Sequence, residues 1–429
     1  MKKHLYLLVF AITLSALFCL NSDVLALGGG GFRNEAALDA EALGKGQAFV
    51  AQADSPSAVH FNPAGLVQLK DSHVRIGYTL EAPRQSFTNL SGGKSQMQKQ
   101  SFLIPHLYYA TDLGLEKWRF GFGMTSPYGL GTDWANDSFS AYRATESDLE
   151  ISQANPTVAY KISDTISIGA GVDYVNSHVS KYKRLSALAG DGEFQLKGSD
   201  DALGYNIGLL IRPSDRHSLG FSYRSKAELN YKGKASMTNL SAGAYGPPLF
   251  PDNYSTDIES KMTIPRSMAA GYAYRPNDRW VFEVDVEWTG WSCIEEDYVE
   301  FTTETNQTRL AVLHDGNPAA KDWEDSLGWG FGAEYKASDK LELRGGYLFV
   351  ESPIPSANFD TALPDSDKHN FTLGMGYDLS DSLTIDAAYE YVKLVKRKVT
   401  NDVAIATSDL DGYYNGYINI VAVSLTYKY

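Results

Sequence analysis

Alternation of apolar and polar residues with a period of two is the dominant pattern of this chain. The last nine residues, 421–429, place apolar side chains at every odd position and small or polar ones at every even position. Such alternation is typical of a β-strand with one apolar face. The pattern recurs about fourteen times along the chain, which predicts an all-β protein built from many strands.

Short and long connections alternate between the predicted strands. Six short turns are predicted at residues 112–114, 163–164, 213–215, 276–278, 338–339 and 380–381, where Asp, Ser, Asn, Pro and Gly supply turn chemistry. Seven long connections are predicted near residues 83–98, 128–147, 185–200, 234–257, 293–324, 351–367 and 395–415. Thirteen connections join fourteen antiparallel strands. Because the number of strands is even, both termini of the predicted barrel lie on the short-turn side, which is the periplasmic side in outer-membrane barrels.

The two faces of the predicted strands have different chemistry. In the segment from residue 280 to residue 288, Trp, Phe and Val occupy one face, whereas Glu283, Asp285 and Glu287 occupy the other. The high content of Tyr (27), Phe (19) and Trp (7) fits aromatic girdles at two membrane interfaces. We therefore predict a fourteen-stranded antiparallel transmembrane β-barrel with a polar lumen. A large secreted β-sandwich is the alternative.

Three regions are predicted along the chain. Residues 1–26 resemble a signal peptide, because Lys2 and Lys3 precede an apolar stretch and Ala26 offers a cleavage site. Residues 27–68 are rich in Ala and Gly without sustained alternation, and they predict an N-terminal hatch that plugs the lumen. Residues 69–429 form the barrel with its long extracellular loops. The expected route is Sec-type export through the periplasm to the cell outer membrane, with the barrel-assembly machinery and outer-membrane lipid as partners.

Composition and motifs argue against several other functions. The formal net charge of −14 disfavours nucleic acid as a partner. Only Cys293 remains after removal of the signal peptide, so no intramolecular disulfide is expected. The eight histidines have no metal-ligand spacing, and there is no Gly-x-Ser-x-Gly or nucleotide-binding loop. We therefore expect neither catalytic residues nor a metal or cofactor.

Several short motifs, in order, make the chain resemble the FadL family of outer-membrane transporters of long-chain fatty acids, which includes TodX-like importers of aromatic hydrocarbons. The motifs are Gly31-Phe32-Arg33-Asn34-Glu35, Asn62-Pro63-Ala64, Tyr128-Gly129-Leu130, Phe221-Ser222-Tyr223-Arg224-Ser225 with Lys232-Gly233, and Ser352-Pro353-Ile354-Pro355 followed by Pro364-Asp365. The resemblance covers nearly all of the chain after the signal peptide.

The resemblance implies a hatch-plugged barrel with a lateral opening. In this family a ligand passes from an apolar groove in the outer loops to a pocket, movement of the N-terminus frees it, and a kinked third strand leaves a gap beside the hatch turn. Here the hatch turn would be Asn62, Pro63 and Ala64, and the strand irregularity would come from Gly121, Gly123, Ser126 and Pro127. The alternative is that the strand simply ends at Pro127.

The resemblance also suggests residues that contact the ligand. Family basic positions align with Lys183, next to Arg184, and with Lys321, and Phe32 is the residue expected to occupy the pocket. These cations could equally be solvated loop residues. Candidate residues for the apolar groove, or alternatively for small loop cores, are Leu130, Trp134, Phe139, Leu249, Phe250, Leu310, Val312 and Leu313.

The leading functional hypothesis is passive uptake of hydrophobic molecules, with long-chain fatty acids as the first ligand class. Import of aromatic hydrocarbons is the alternative within transport, since a lysine binds a carboxylate only as a point charge. A lipid hydrolase built on a barrel would need a Ser-His pair on an outward face, and the sequence has none. A structural or receptor barrel stays open as a further alternative.

Overall fold

Antiparallel strands form most of the structure, a computed structural model that describes residues 32–34, 36–185, 192–240, 246, 249–400 and 410–429. The barrel strands are β1 (Ser72–Asn89), β2 (Phe102–Thr111), β3 (Trp118–Asp133), β4 (Glu146–Lys161), β5 (Ile166–Arg184), β6 (Glu193–Ser214), β7 (His217–Arg224 and Ala227–Thr238), β8 (Tyr254–Ile264 and Ser267–Asn277), β9 (Trp280–Thr289), β10 (Ser326–Lys336), β11 (Leu341–Val350), β12 (Lys368–Ser380), β13 (Leu383–Val399) and β14 (Gly412–Lys428). The predicted signal peptide, Gly31 and Glu35 lie outside the described residues.

The sheet closes on itself through its first and last strands. β1 pairs antiparallel with β2 on one side and with β14 on the other, in a ladder that runs from His73–Lys428 to Asn89–Gly412. Closure leaves the sheet without a free outer edge, which is the condition for a β-structure in a bilayer. The prediction of a closed, fourteen-stranded antiparallel barrel is confirmed.

One end of the barrel has short turns and the other has long loops. Each of the six predicted short turns and seven predicted long connections falls at a junction between consecutive strands, but several strands extend into the predicted loops. β1 continues to Asn89, β3 continues to Asp133 and β6 already begins at Glu193, whereas loops were predicted at 83–98, 128–147 and 185–200. The long loops contain the strands Lys94–Gln96, Glu296–Asp297, Val299–Phe301 and Ala319–Ala320, the 3-10 helix Trp291–Cys293 and the α-helix Gln307–Leu313. No helix within the described residues is both long and apolar enough to cross a membrane.

Strand β9 illustrates how the sequence alternation maps onto the wall. Val284 and Val286 are 46% and 48% exposed on the outer face, whereas Glu283 and Asp285 are 1% and 7% exposed on the inner face. Side chains of a strand point alternately to opposite faces, so the apolar set faces lipid and the acidic set faces the lumen. The predicted assignment of the two faces is confirmed for this strand.

Residues 36–68, called the plug below, lie inside the barrel. They contain helix α1 (Ala40–Gly44), helix α2 (Ala58–Phe61) and the 3-10 helix Pro63–Gln68. Helices this short are not stable in isolation, so the plug depends on its packing against the wall. The side chains of Leu38, Leu43 and Phe49 are fully buried there.

Acidic side chains of β9 bind the middle of the plug. Asp285 Oδ2 accepts hydrogen bonds from the backbone N–H groups of Phe49 at 2.8 Å and Val50 at 2.9 Å. Glu283 Oε1 accepts two more, at 2.6 and 3.1 Å, from the next two amides of the plug. Buried backbone N–H groups need acceptors, and here the inward acids of the wall supply them.

A buried charge network ties the start of the plug to the wall. Arg75 of β1 pairs with Asp39 of the plug and with Asp386 of β13, and Arg344 of β11 pairs with the same Asp386 and with Glu334 of β10. Removing one member of such a network would leave its partner charged and buried, at a cost of about 3–5 kcal/mol. The network therefore fixes the plug to several strands at once.

Candidate functional site: an apolar cavity beside an interrupted wall

The barrel wall is interrupted between β2 and β3. These strands pair only from Thr111–Phe120 to Leu107–Met124. Beyond that point β2 still pairs with β1 as far as Phe102, and β3 still pairs with β4 as far as Asp133, but no ladder joins β2 to β3 within the described residues. The two strands therefore diverge toward the long loops and leave a gap in the wall.

A β-bulge in β3 lies where the two strands separate. Between the pairs Thr125–Gln153 and Tyr128–Ile151, β3 has two residues, Ser126 and Pro127, where β4 has one. A proline has no backbone N–H to donate and an extra residue bends the strand, so both features favour separation from β2. Pro127 thus marks a bulge within β3, and the alternative that the strand ends there is wrong.

The two glycines assigned to the strand irregularity have another role. Gly121 and Gly123 lie in the regularly paired part of β3, so the expectation that they distort the strand is wrong. A Cβ at Gly121 would lie 2.6 Å from Val59 Cγ2 and 2.9 Å from Leu66 Cδ1. The glycines therefore let apolar side chains of the plug pack close to the wall of β3.

The first described residues of the chain pair with β3 at the gap. Asn34 N donates to the Pro127 carbonyl at 2.8 Å, and Gly129 N donates to the Phe32 carbonyl at 3.0 Å. Arg33 forms an isolated antiparallel bridge with Tyr128 between these two bonds. Residues 32–34, called the N-terminal strap below, thus provide β3 with the partner that β2 does not.

An apolar cavity of about 460 Å³, called the loop-side cavity below, lies next to the strap. Phe32 lines it and contacts the rings of Tyr128, Trp291 and Trp323 at centroid distances of 5.7, 5.3 and 6.2 Å. Other apolar lining residues are Leu130, Leu149, Val179, Met262, Ile294 and Leu363. The volume falls within the range of about 300–1,000 Å³ that is usual for small-molecule sites.

One side of the loop-side cavity is charged. Lys181 pairs with Asp297, and Lys321 Nζ lies 3.1 Å from Asp360 Oδ2, which Arg143 also binds at 3.0 Å. Burial disfavours the ionised form of Asp360, but the charges of Lys321 and Arg143 outweigh burial and lower the pKa of that carboxyl. Three lysines and five acidic residues line the cavity in all, so the lysines supply donors for an anionic group within a surrounding that is rich in carboxylates.

Only some of the residues predicted to contact the ligand line this cavity. Phe32 and Lys321 line it, but Lys183 and Arg184 do not; the lysine of β5 that does so is Lys181. Lys183 lies two residues further along the same strand face, with its Nζ 5.3 Å from the centre of the Phe194 ring. Alternation could have suggested Lys181 as readily as Lys183, because residues two apart share a face.

The Asn62-Pro63-Ala64 turn lies elsewhere on the wall than the resemblance implied. A Cβ at Gly208 of β6 would lie 2.1 Å from Asn62 Oδ1, and one at the paired Gly169 of β5 would lie 2.4 Å from the carbonyl carbon of Pro63. The turn therefore packs against β5 and β6, and the expectation that it lies beside the gap is corrected. The plug residues that reach β3 near this turn are Val59, before it, and Leu66, after it.

A second cavity, of about 160 Å³, lies on the plug side of Phe32. Phe32 lines both cavities, so its ring forms part of the partition between them. Arg33 extends from the strap to β9, where it pairs with Glu287 and donates to Thr289 Oγ1 at 2.8 Å. The strap is thus attached to β3 by its backbone and to β9 by a side chain.

Most of the candidate groove residues belong to loop cores. One loop core also contains residues from the loop ends of the strands, and its candidate residues are Leu249, Phe250, Leu310, Val312 and Leu313. A separate cluster contains Trp134 and Phe139, packed with Phe87 and Tyr414. Among these candidates only Leu130 lines the loop-side cavity. The part of the chain that the structure describes contains no cluster of three His, Cys, Asp or Glu side chains arranged to hold a metal.

These features define a plugged outer-membrane channel: a closed barrel with a lipid-facing belt, a lumen filled by its own N-terminal plug, and an apolar cavity. The chain belongs to the family of outer membrane protein transport proteins (OMPP1/FadL/TodX), whose family model matches residues 32–429. It is therefore an outer-membrane transport protein and not an enzyme.

Known relatives cover nearly the same length. The chain is 22% identical to the long-chain fatty acid transport protein of Escherichia coli, over 79% of this chain and 82% of that protein. It superposes on a FadL homologue of Pseudomonas aeruginosa with a TM-score of 0.81 and 18% identity, covering 93% and 99% of the two chains. The toluene transporter TbuX of Ralstonia pickettii gives a TM-score of 0.70 at 16% identity, covering 92% and 99%.

Proposed function

We propose that this protein takes up long-chain fatty acids by passive diffusion through the outer membrane, with a lateral exit through the gap between β2 and β3. The observation that carries the proposal is the double role of the N-terminal strap. Phe32 occupies the wall of the loop-side cavity, and the same residue accepts a backbone hydrogen bond from Gly129 of β3 at the gap. A ligand that displaces the ring would therefore disturb the residues that fill the gap.

The mechanism requires no energy source other than a concentration gradient. A ligand in the loop-side cavity competes with Phe32 for the rings of Trp291 and Trp323. Ligand binding favours whichever strap conformation leaves more room, because a ligand shifts an equilibrium toward the state it binds better. Once residues 32–34 leave β3, the gap between β2 and β3 connects the lumen with the bilayer.

The plug opposes an alternative route straight through the barrel. Its backbone is bound by Glu283 and Asp285, its first helix is held by Arg75, and its hatch turn fits against the glycines of β5 and β6. The strap, in contrast, is held by its backbone bonds to β3, by the Arg33 side chain and by the ring contacts of Phe32, for which a ligand can substitute. Movement of the strap thus breaks far fewer interactions than movement of the plug.

Fatty acids are favoured over neutral molecules by the charged side of the cavity. Lys181 and Lys321, which both line the cavity, supply charged donors for a carboxylate headgroup, while the aromatic side suits an acyl chain. Import of aromatic hydrocarbons is the second candidate, because Lys181 and Lys321 each already have an acidic partner.

Topology and cellular partners complete the proposal. The long loops would face outside and the short turns would face the periplasm, with residues 1–26 acting as a Sec signal peptide and residues 27–68 as the hatch. The barrel-assembly machinery would insert residues 69–429, and outer-membrane lipid would surround the apolar belt.

Binding of a fatty acid and of its methyl ester to the purified protein tests the ligand class. We expect the free acid to bind at least about tenfold more tightly, because a hydrogen bond to a charged group contributes about 1.5–3 kcal/mol. Equal affinity for acid and ester would favour the hydrocarbon candidate. Absence of uptake of either class by proteoliposomes that contain the inserted barrel would contradict the proposed transport.

A further inference from the structure

The barrel wall has a second interruption, on the side of β8 that faces β9. β8 pairs with a loop strand as far as Ser260–Val299 and pairs with β9 again from Ser267–Thr289. Between these points, no backbone hydrogen bond joins residues 261–265 to the chain on that side within the described residues. Seven residue steps separate the two pairs, roughly 23 Å along an extended strand.

The loop-side cavity reaches this interruption. Four consecutive residues of β8, 260–263, line the cavity, and so do five consecutive loop residues, 293–297. Residues on both sides of the interruption therefore line the same cavity. The slot between residues 261–265 and residues 293–298, called the side window below, thus has the cavity directly behind it.

The margins of the side window are held by a few contacts. At the loop end, Ser260 Oγ donates to the Tyr298 carbonyl at 2.8 Å. At the other end, Gly290 N donates to the Arg266 carbonyl at 3.0 Å, and the Arg266 guanidinium lies 5.4 Å from the Trp288 ring. The short strand Glu296–Asp297 runs close to β8 here, but among the described residues it forms no hydrogen-bonded ladder with residues 261–265.

The side window lies at the border of the lipid-facing belt. Met268 is 38% exposed and pairs with Trp288, both on the outer face of the barrel directly below the window. Tryptophans at such positions mark the membrane interface. Lys261 and Arg266 are exposed on the strand side of the window, and Glu295 and Glu296 are exposed on the loop side.

The chemistry of the side window changes from outside to inside. Charged residues surround its outer margin, whereas Met262 and Ile294 line the cavity behind it. An amphiphile with one acyl chain fits this order, because its headgroup can stay near Lys261 and Arg266 while the chain enters the apolar cavity.

We propose that the side window is a lateral entrance through which a single acyl chain, held in the outer-leaflet interface, reaches the loop-side cavity. This inference rests on the proposed uptake function and adds a path that bypasses the tips of the long loops. A free fatty acid and the chain of a membrane lipid share the required chemistry, so the experiment must separate them.

Cys293 provides a natural probe, because it is exposed and lines the cavity beside the window. A small environment-sensitive fluorophore, attached to Cys293 through a reagent much smaller than the blocking maleimide used below, is mixed with a nitroxide-labelled fatty acid or with a nitroxide-labelled phospholipid in the vesicle that carries the protein. We expect strong quenching by the fatty acid and much weaker quenching by the phospholipid. Equal quenching by both would mean that the window binds membrane lipid, and quenching by neither would overturn the proposal.

Blocking the window tests its role in transport. Cys293 is modified with a bulky maleimide, and uptake is compared for a long acid dissolved in the donor bilayer and a short acid supplied from water. We expect a several-fold loss for the bilayer-delivered acid and little change for the short acid. The matched controls are the Cys293→Ser variant exposed to the same reagent and a Cys293→Ser/Gln307→Cys variant labelled on an exposed helix of the same loop.

The two measurements separate failure of the window from failure of the proposed function. Full uptake of the bilayer-delivered acid by the labelled wild-type protein would overturn the side window and leave uptake intact. Absence of uptake in the unlabelled protein would contradict the proposed function, and the quenching experiment would then still decide whether an acyl chain enters the window.

Discussion

Arg75 of β1 binds Asp39 of the plug through two parallel hydrogen bonds, from Nε to Oδ2 at 2.5 Å and from Nη2 to Oδ1 at 2.8 Å. The same carboxylate caps helix α1 by accepting from the N–H groups of Glu41 and Ala42. Both side chains of the pair are buried. One aspartate thus joins the first helix of the plug to the first strand of the wall.

Replacement of Asp39 by Ala should release the start of the plug. The change removes a helix cap, at about 1 kcal/mol, and leaves Arg75 less compensated in a buried site, at about 3–5 kcal/mol. We expect the barrel to fold and its single-channel conductance in a planar bilayer to rise. The control is Asp164→Ala, which removes an exposed partner of Lys161. Unchanged conductance in a folded Asp39→Ala protein would contradict the anchoring role.

Gly208→Ala should displace the hatch turn, because the new Cβ would lie 2.1 Å from Asn62 Oδ1. Overpacking of this kind typically costs about 1–3 kcal/mol. The matched control is Gly345→Ala, whose Cβ would have no neighbour closer than 3.8 Å. Limited proteolysis of the two folded barrels should cut the plug faster in Gly208→Ala; equal rates would argue against close seating of the turn.

Deletion of Pro127 should close the lateral exit. Without it, Ser126 alone stands opposite Ser152 between the pairs Thr125–Gln153 and Tyr128–Ile151, so the ladder of β3 and β4 becomes regular. A regular β3 can pair further with β2 and narrow the gap. We expect retained ligand binding with strongly reduced uptake in proteoliposomes. Pro127→Ala keeps the residue count and should transport; wild-type uptake by the deletion variant would rule out the lateral route.

Comparison of Lys181→Met with Lys183→Met should locate the carboxylate site. Lys181 lines the cavity, whereas Lys183 packs against Phe194 beyond it. We expect Lys181→Met to weaken fatty-acid binding by about 1.5–3 kcal/mol with little effect on the methyl ester, and Lys183→Met to affect neither. Because Asp297 loses its partner, Lys181→Met/Asp297→Asn serves as the compensated variant. A larger effect at Lys183 would restore the sequence-based assignment.

The barrel could be predicted from the sequence because strand alternation is a local property. Side chains two residues apart share a face whatever surrounds them, so the lipid-facing set of β9 and its inward acids followed from order alone. The turn residues between strands are local as well, since Pro, Gly, Asn and Asp act on their own backbone. The number of strands followed from counting the alternating segments and the turns between them. Closure was then expected because a sheet in a bilayer cannot keep a free edge.

The candidate site depended on contacts that no local pattern contains. Lys181 and Lys183 occupy the same face of β5, and only the fold of the long loops, which brings Asp297 and Asp360 to the cavity, distinguishes them. The sequence marked Pro127 as a possible strand end, but whether a strand stops or bulges depends on its partners. The partners of β3 here are β4 on one side and a strap from the distant N-terminus on the other, and the pairing with the strap arises only when the whole barrel has closed around the plug.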